Sequence, residues 1–258
     1  MVLAHGALSQ LGFAIRQLAG ARLAWRQVAP LFHAAPRRLP SRSSAPAPAG
    51  PARPGDPLLD AHDVSYRYPG RTNQVLEGVD LGVRVGDRLL LEGPSGAGKS
   101  TLGAILCGLR RPSSGLLLLE GLDLATLGAD GWRRRIAASP QFHENHVLTG
   151  TFAFNLLLGR EGTMDPPSID EAEEVCRDLG LAPLLSAMPA GLLQTVGETG
   201  WQLSHGERSR LYIARSLLQG ADLVVLDESF AALDPENLRA PLRAVLARTR
   251  TLLVVAHP

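Results

Sequence analysis

Lysine and cysteine are both scarce in this 258-residue chain, and each scarcity excludes something. Of the 26 Lys and Arg residues, 25 are Arg and one is Lys99. Because Arg serves wherever a generic cation suffices, the single ammonium group indicates a position that needs a compact charge. The two cysteines, Cys107 and Cys176, have neither metal-site nor redox spacing. We therefore interpret them as reduced and expect no disulfide framework.

Acidic residues are missing from the first 55 positions, which carry seven Arg, whereas residues 56–258 carry 19 basic and 25 acidic residues. Residues 1–35 place apolar side chains at helical spacing among these Arg, which predicts an amphipathic basic leader. Residues 36–57 are rich in Pro, Ala, Ser and Arg and predict a linker. The charge of the leader predicts attraction to phosphate groups, either of nucleic acid or of an anionic membrane surface.

Long apolar runs are also missing, since none reaches the roughly 18 uninterrupted residues of a membrane span. The chain is therefore not expected to cross a bilayer alone. Binding of nucleic acid would need several basic patches with interleaved aromatic residues, and the sequence has none. We interpret the run Arg133–Arg135 as a solvated helix face and expect no nucleic-acid partner.

The segment from Gly93 to Thr101 has the P-loop spacing G-x-x-x-x-G-K-[ST], between an apolar run and a helix-like stretch. Its glycines allow backbone N–H groups to approach phosphate oxygens closely, and the following helix adds its positive end. Lys99 is expected to reach the β- and γ-phosphates, and Ser100 to ligate Mg²⁺. An ordinary Gly-rich turn is the alternative, but the strand before it and the helix after it favour a phosphate-binding loop.

Downstream, strand-like and helix-like segments alternate, which predicts a parallel sheet with its loops gathered at the carboxyl ends of the strands. Those ends carry Gly93, Gln141, Asp227, Glu228 and His257. After the buried run Leu-Val-Val-Leu, Asp227 is expected to reach the Mg²⁺ shell, and Glu228 to accept a proton from attacking water. Gln141 could touch Mg²⁺ and that water, and His257 could hydrogen-bond the γ-phosphate.

Tyr68 stands before Pro69 and Gly70, on a predicted turn after a strand. An aromatic ring there could stack on adenine, but a half-buried strand tyrosine explains the residue equally well.

Leu203–Glu207 is similar to the signature motif of ABC proteins. Together with the motifs above, it makes residues 58–258 resemble the nucleotide-binding domain of exporter-type ABC transporters. The motifs stand in the family's order: Tyr68 for the adenine-stacking loop, Gly93–Thr101 for Walker A, Gln141 for the Q-loop, Leu203–Glu207 for the signature, Leu223–Glu228 for Walker B and its glutamate, Ala232–Asp234 for the D-loop and His257 for the H-loop. The signature departs from the usual L-S-G-G-Q at His205 and Glu207.

The resemblance implies an α/β fold of the P-loop NTPase class, with a RecA-like core around a parallel sheet. It also implies an N-terminal antiparallel β part and a helical signature subdomain over about residues 141–221. ATP and Mg²⁺ are the implied cofactors, with catalytic roles for Lys99, Gln141, Glu228 and His257. The implied metal ligands are Ser100, Gln141 and Asp227. The implied nucleotide contacts are Tyr68, Gly93, Ser95, Gly96, Ala97, Gly98, Lys99, Ser100, Thr101, Ser204, Gly206, Glu207 and Asp234.

The implied activity is ATP hydrolysis coupled to export, in which two such domains pair head to tail and Ser204 and Gly206 of one meet the ATP of the other. Glu198 lies in a segment similar to the X-loop of exporters, so it and the Gln141 loop are expected to contact a transmembrane domain. Residues 8–32 look like the end of an exporter's last membrane helix. This implies a location at the cytoplasmic face of the cell membrane, in contact with its surface.

Two other classes of P-loop protein are alternatives to an exporter domain. A soluble, non-transport ABC-type ATPase usually shows tandem copies or long coiled-coil insertions, which are missing here. The other alternative is a different P-loop class, such as a GTPase or a small-molecule kinase, and a GTPase would be favoured by an N-K-x-D motif, which the single Lys99 excludes. No transmembrane domain is recognised, and the sequence stops one residue after His257, so we expect a split subunit, a truncated product or a fragment.

Overall fold

A computed structural model of the protein describes Arg22 and residues 53–141, 145–160 and 166–256. The predicted leader, apart from Arg22, and most of the predicted linker lie outside the described residues, as does His257. The chain divides into two units, residues 1–41 and 42–258, and the fold below belongs to the second.

Strands and helices alternate along the second unit, as the sequence predicts. The strands are β1 (Pro57–Tyr66), β2 (Leu76–Arg84), β3 (Arg88–Leu91), β4 (Ser114–Leu119), β5 (Leu122–Asp123), β6 (Ile136–Ser139), β7 (Gly150–Thr151), β8 (Thr195–Val196), β9 (Leu223–Asp227) and β10 (Thr251–Val255). The helices are α1 (Lys99–Leu106), α2 (Leu124–Arg135), α3 (Phe152–Leu156), α4 (Pro166–Asp178), α5 (Ala182–Ala187), α6 (His205–Leu218) and α7 (Pro235–Arg248). A short 3₁₀ turn covers Gly191–Leu193.

Two sheets within the described residues form the framework. The first has the order β2-β1-β4-β5 and is antiparallel. The second has the order β3-β10-β9-β6 and is parallel. The helices from α3 to α6 follow β6 and precede β9, so they form a helical lobe inserted between two neighbouring strands of the parallel sheet. This confirms the α/β fold class with its antiparallel, parallel and helical parts.

Strand β9 shows why the sequence has a continuous apolar run there. All five of its residues are buried, and alternate side chains enter different cores. Leu223 and Val225 pack with the antiparallel sheet and α1, whereas Val224 and Leu226 pack with the helical lobe. Because successive strand side chains point to opposite faces, a strand buried on both faces must be apolar throughout.

The structure refines two details of the sequence interpretation. Strand β1 begins at Pro57, and the N–H of Gly55 donates to the carbonyl of Val85, so the last residues of the predicted linker pair with the domain. Arg135 is not part of a solvated helix face, because it forms ion pairs with Glu120 and Asp222. Charge partners distant in sequence explain why an arginine run alone did not indicate this role.

A buried amide attaches the segment after the Q-loop to the helical lobe. Asn155 on α3 has no exposed surface. Its side chain accepts from the N–H of Leu148 at 2.9 Å and donates to the Leu148 carbonyl at 2.8 Å and the Thr151 carbonyl at 3.1 Å. Arg215 on α6 donates to the Asn155 carbonyl at 2.9 Å. The Asn155 side chain thus holds residues 148–155 together, and Arg215 bonds this segment to α6.

None of the helices among the described residues combines the length and hydropathy that a bilayer crossing requires.

We expect Asn155→Ala to lower the free energy of unfolding by about 1–3 kcal/mol, because it leaves buried backbone groups of Leu148 without their hydrogen bonds. Chemical denaturation without nucleotide measures this change. Asn73→Ala removes an exposed asparagine and is the matched control. Equal stability of the two variants would contradict the role assigned to Asn155.

Candidate functional site

The register of the parallel sheet brings the ends of its strands to one edge. Leu91 at the end of β3 pairs with Val255 of β10, and Val255 pairs with Asp227 at the end of β9. On the next strand, Ser139 pairs with Leu226. The loops that carry the P-loop, Gln141 and Glu228 therefore leave the sheet side by side, as the sequence predicts.

The P-loop between β3 and α1 depends on backbone conformations that glycine adopts readily. Gly96 and Gly98 have φ angles of 79° and 88°. At Gly98 a Cβ atom would lie 2.8 Å from Leu76 Cδ2 and 2.9 Å from the Val75 carbonyl oxygen. The loop therefore packs tightly on the start of β2 at this point, and a side chain cannot be added without displacing it.

The amino end of α1 has no side chain that caps its backbone N–H groups. Helices α2, α3, α6 and α7 begin with a capping side chain, whereas α1, like the short α5, begins with no side-chain cap and no acidic residue in its first turn. Amide groups and the positive end of the helix dipole favour an anion at such a place. Beside it, Lys99 is 8% exposed and donates from Nζ to the carbonyls of Gly93 at 2.8 Å and Pro94 at 2.9 Å.

A cavity of about 250 Å³ lies over the P-loop. It brings together residues from four separate parts of the sequence: Tyr68, Arg71, Val75, Ser95, Gly96, Gly98, Lys99, Ser100, Thr101, Gln141 and Glu228. Nine of these eleven are sequence-predicted site residues. Arg71 and Val75 were not predicted, although the Pro-Gly pair before Arg71 is a turn signal that could have placed it near Tyr68.

Oxygen ligands suited to Mg²⁺ are present at this edge. The amide nitrogen of Gln141 donates to Ser100 Oγ at 3.0 Å, so the two predicted ligands are in contact. Asp227 is 7% exposed at the end of β9. Burial, with a smaller contribution from Asp227, raises the pKa of the neighbouring Cys107 thiol to about 12. A hydroxyl, an amide and a carboxylate form the hard oxygen set that Mg²⁺ takes, and a protonated thiol does not compete.

Glu228 has an unusual backbone, with a φ angle of 49°. Its N–H donates to the Val255 carbonyl at 2.9 Å, and its carbonyl accepts from the N–H of Ala231 at 3.0 Å. A left-handed conformation in a residue other than glycine is uncommon and strained, and such strain concentrates at functional sites. Here the two hydrogen bonds stabilise the strained backbone conformation of Glu228, which lines the P-loop cavity.

A second cavity of about 250 Å³ lies between the parallel sheet and α6. Gln141 and Glu228 line this cavity as well as the P-loop cavity, and His205, Ser209 and Tyr212 line it from α6. The two residues therefore stand at the boundary between the phosphate site and the helical lobe.

The signature residues form the start of α6 and do not line the P-loop cavity. Ser204 caps the helix by accepting from the N–H of Glu207 at 3.3 Å, while the Glu207 carboxylate accepts from the N–H of Ser204 at 2.7 Å. Gly206 packs near the D-loop, where a Cβ would lie 3.5 Å from Leu233. Asp234 caps α7, and hydrogen bonds from Asn237 hold the pKa of its carboxyl below the usual range.

The structure thus brings together the P-loop, Tyr68, Gln141 and Glu228, but not Ser204, Gly206, Glu207 or Asp234. Tyr68 joins the P-loop directly, because its hydroxyl and Thr101 Oγ1 are 3.0 Å apart. His257, two residues after β10, lies outside the described residues.

A parallel sheet whose first strand runs into this glycine loop and helix defines the class of P-loop nucleoside triphosphatases. A family model described as ABC transporter matches residues 76–231, and the chain accordingly belongs to the ABC transporter family. It is an ABC transporter ATP-binding domain of the kind found in exporters.

Similar proteins are whole transporters of which this chain spans a part. It is 36% identical over 203 residues to the mycobactin import ATP-binding/permease protein IrtB of Mycobacterium tuberculosis, covering 78% of this chain and 34% of that protein. It is 38% identical over 213 residues to an ATP-dependent lipid A-core flippase of Chromobacterium violaceum, covering 82% and 35%. The solved structure of a bacterial Atm1-family ABC exporter with ATP bound matches with a TM-score of 0.72 and 28% identity, covering 92% of this chain and 40% of that one.

We expect Gly98→Ala to destabilise the protein by about 1–3 kcal/mol more than Gly96→Ala, because only the first adds overpacking to the strain of a positive φ. At Gly96 a Cβ atom would meet no atom within 4 Å among the described residues, which makes this variant a matched control. Denaturant unfolding without nucleotide measures both variants. An equal loss of stability would show that the P-loop does not pack on Val75 and Leu76 as described.

Proposed function

We propose that the chain binds and hydrolyses ATP with Mg²⁺ and drives a transporter, most directly an exporter, from the cytoplasmic face of the cell membrane. The observation that carries the proposal is that Lys99, Ser100, Gln141 and Glu228 line one cavity. These are a phosphate-binding cation, two oxygen ligands for a metal and a carboxylate base, which together are the parts that phosphoryl transfer to water requires.

In the proposed site the P-loop holds the triphosphate. Lys99 exchanges its bonds to the carbonyls of Gly93 and Pro94 for phosphate oxygens, while the amides of the loop and the first turn of α1 donate to the same group. Ser95, Ala97 and Thr101 belong to this cradle. Ser100, Gln141 and Asp227 would hold Mg²⁺, which when bound neutralises phosphate charge. Their oxygen donors support this assignment.

Glu228 is the proposed general base. Its side chain faces the P-loop cavity, and its strained backbone is held in place by bonds to Val255 and Ala231. A carboxylate fixed there can accept a proton from water that attacks the γ-phosphate. Gln141, which lines the same cavity, would orient that water. For His257 we propose a hydrogen bond to the γ-phosphate.

A second nucleotide-binding domain is the proposed partner. Ser204, Gly206, Glu207 and Asp234 lie away from the P-loop cavity of their own chain. The first three form a helix start, with Ser204 exposed and Gly206 and Glu207 half-buried, that can present amides to an anion. We therefore assign them to the ATP site of the opposite copy in a head-to-tail pair. The start of α6 keeps its capping bonds until that site forms.

A transmembrane domain is the other proposed partner. Glu198 is exposed and lines a cleft of about 210 Å³ together with Asn145, His146, Trp201 and Arg208. This cleft joins the segment after Gln141 to the X-loop segment, and its open, mixed polar lining suits a helix end from a membrane domain. The Arg-rich residues 1–35 would contact the membrane surface.

We expect Lys99→Ala to weaken ATP binding by roughly 10- to 100-fold, because it removes charge-assisted bonds to the phosphates. Isothermal calorimetry with Mg²⁺ measures the affinity. Lys99→Met, which keeps the aliphatic stem, tests whether the loss comes from charge, and Arg133→Ala, on exposed α2 surface, is the control. Wild-type affinity in both Lys99 variants would refute the proposed site.

We expect Glu228→Gln to bind ATP but not hydrolyse it, and therefore to accumulate as an ATP-bound dimer. The amide keeps the shape of the carboxylate but cannot accept a proton. Gel filtration with ATP and Mg²⁺ measures the dimer. The double variant with Lys99→Ala should remain monomeric. A folded Glu228→Gln protein that is saturated with ATP yet monomeric at high concentration would contradict the head-to-tail pair.

A further inference from the structure

Residues Tyr68 to Arg71 form a tight turn at the open end of the P-loop cavity. The N–H of Arg71 donates to the Tyr68 carbonyl at 3.1 Å, and Gly70 has a φ angle of 79°. Proline in the second position and a left-handed glycine in the third are the signature of a type II turn. Such a turn brings its first and fourth residues together, so the Arg71 side chain returns to the Tyr68 ring.

The Tyr68 ring is held on several sides. Its hydroxyl contacts Thr101 Oγ1 at 3.0 Å, and the Tyr66 ring meets it edge-on at 5.1 Å. The guanidinium carbon of Arg110 lies 4.9 Å from the ring centroid, and that of Arg71 lies 5.7 Å from it. Of these two arginines, only Arg71 lines the P-loop cavity. The Tyr68 ring is thus fixed in position. Arg71 is the arginine that lies beside this ring at the P-loop cavity.

We propose that Arg71 is a base-binding residue, with its guanidinium forming one wall and the Tyr68 ring the other wall of a slot for the nucleobase of ATP. This inference rests on the proposed ATP site and goes beyond it, because it adds to Tyr68 a second base-binding residue that lies outside the family's motifs.

The spacing fits this role after a small movement. A flat base between two planar groups needs two contacts of about 3.5 Å, or about 7 Å in all. Arg71 is exposed, so its side chain can retreat from 5.7 Å by rotating into solvent while the turn backbone stays in place. The planar guanidinium can then stack on the base, so that its contact with the Tyr68 ring is replaced by a contact with the face of the base.

The position of Arg71 favours the base over the phosphates. Its turn follows β1, and its described contacts are with Tyr68, through the ring and the backbone carbonyl. Lys99 and the amino end of α1 already supply the positive charge near the P-loop glycines. An additional cation at the Tyr68 end therefore acts on the base.

Calorimetry with ATP and with inorganic triphosphate, both with Mg²⁺, separates the two assignments. Arg71→Ala should weaken ATP binding about 3- to 30-fold, the range of a cation–π contact, and leave triphosphate binding within about twofold. Arg71→Lys should keep only part of this affinity, because an ammonium group retains the charge but lacks the planar group that stacks on the base. Arg67→Ala, a neighbouring exposed arginine outside the cavity, is the control and should bind both ligands as the wild type does.

Each contrary result has a definite meaning. Equal weakening of ATP and triphosphate in Arg71→Ala would assign Arg71 to the phosphates and overturn the base slot. Unchanged ATP affinity in folded Arg71→Ala would also overturn it. If Lys99→Ala still weakened ATP binding as expected, the proposed function would be supported without the base slot. A wild-type protein that binds triphosphate but gains nothing from the base would overturn the inference, and one that binds neither ligand would overturn both proposals.

Discussion

The alignment of strand ends in the parallel sheet is the constraint on which the site depends. Leu91, Val255 and Asp227 are aligned across three strands, and this alignment fixes where β10 ends and where the P-loop and the Glu228 turn begin. A shift of one residue in the register of β9 would exchange its two buried faces, and it would also displace the carboxylates of Asp227 and Glu228. The packing of β9 between two cores thus determines the geometry of the site as well as stability.

The same strand links the phosphate site to the helical lobe. Gln141 follows β6 and Glu228 follows β9, and both residues line the P-loop cavity and the cavity against α6. A displacement of α6 relative to the sheet changes the second cavity and so acts on both residues. Because Arg215 and Asn155 fix the segment after Gln141 to α6, such a displacement also moves the cleft beside Glu198. Helix α6 therefore lines both the cavity that Gln141 and Glu228 share and the cleft beside Glu198.

The sequence predicted the parts of the site that local patterns encode. Gly93 to Thr101 was recognisable because loop spacing, strand and helix agree, and Asp227 because an apolar run ended there. The ion pairs of Arg135 were beyond such reasoning, because Glu120 and Asp222 are brought near it by the fold. For Arg71 the Pro-Gly pair indicates a turn beside Tyr68, but only the structure shows the guanidinium over the ring. From the sequence alone, Arg71 and Arg135 would be interpreted only as surface arginines.

The signature segment shows how a departure from a motif can preserve structure while changing charge. Ser204 and Glu207 form a reciprocal capping box, an S-x-x-E pattern in which Gln could make the same bond. Glu207 therefore keeps the start of α6 where the usual glutamine would place it, and its charge is favourable beside the positive end of the helix. The same charge would lie close to the phosphates of the opposite ATP in the proposed pair. Any effect of Glu207 on pairing is consequently electrostatic, and it should weaken as salt screens it.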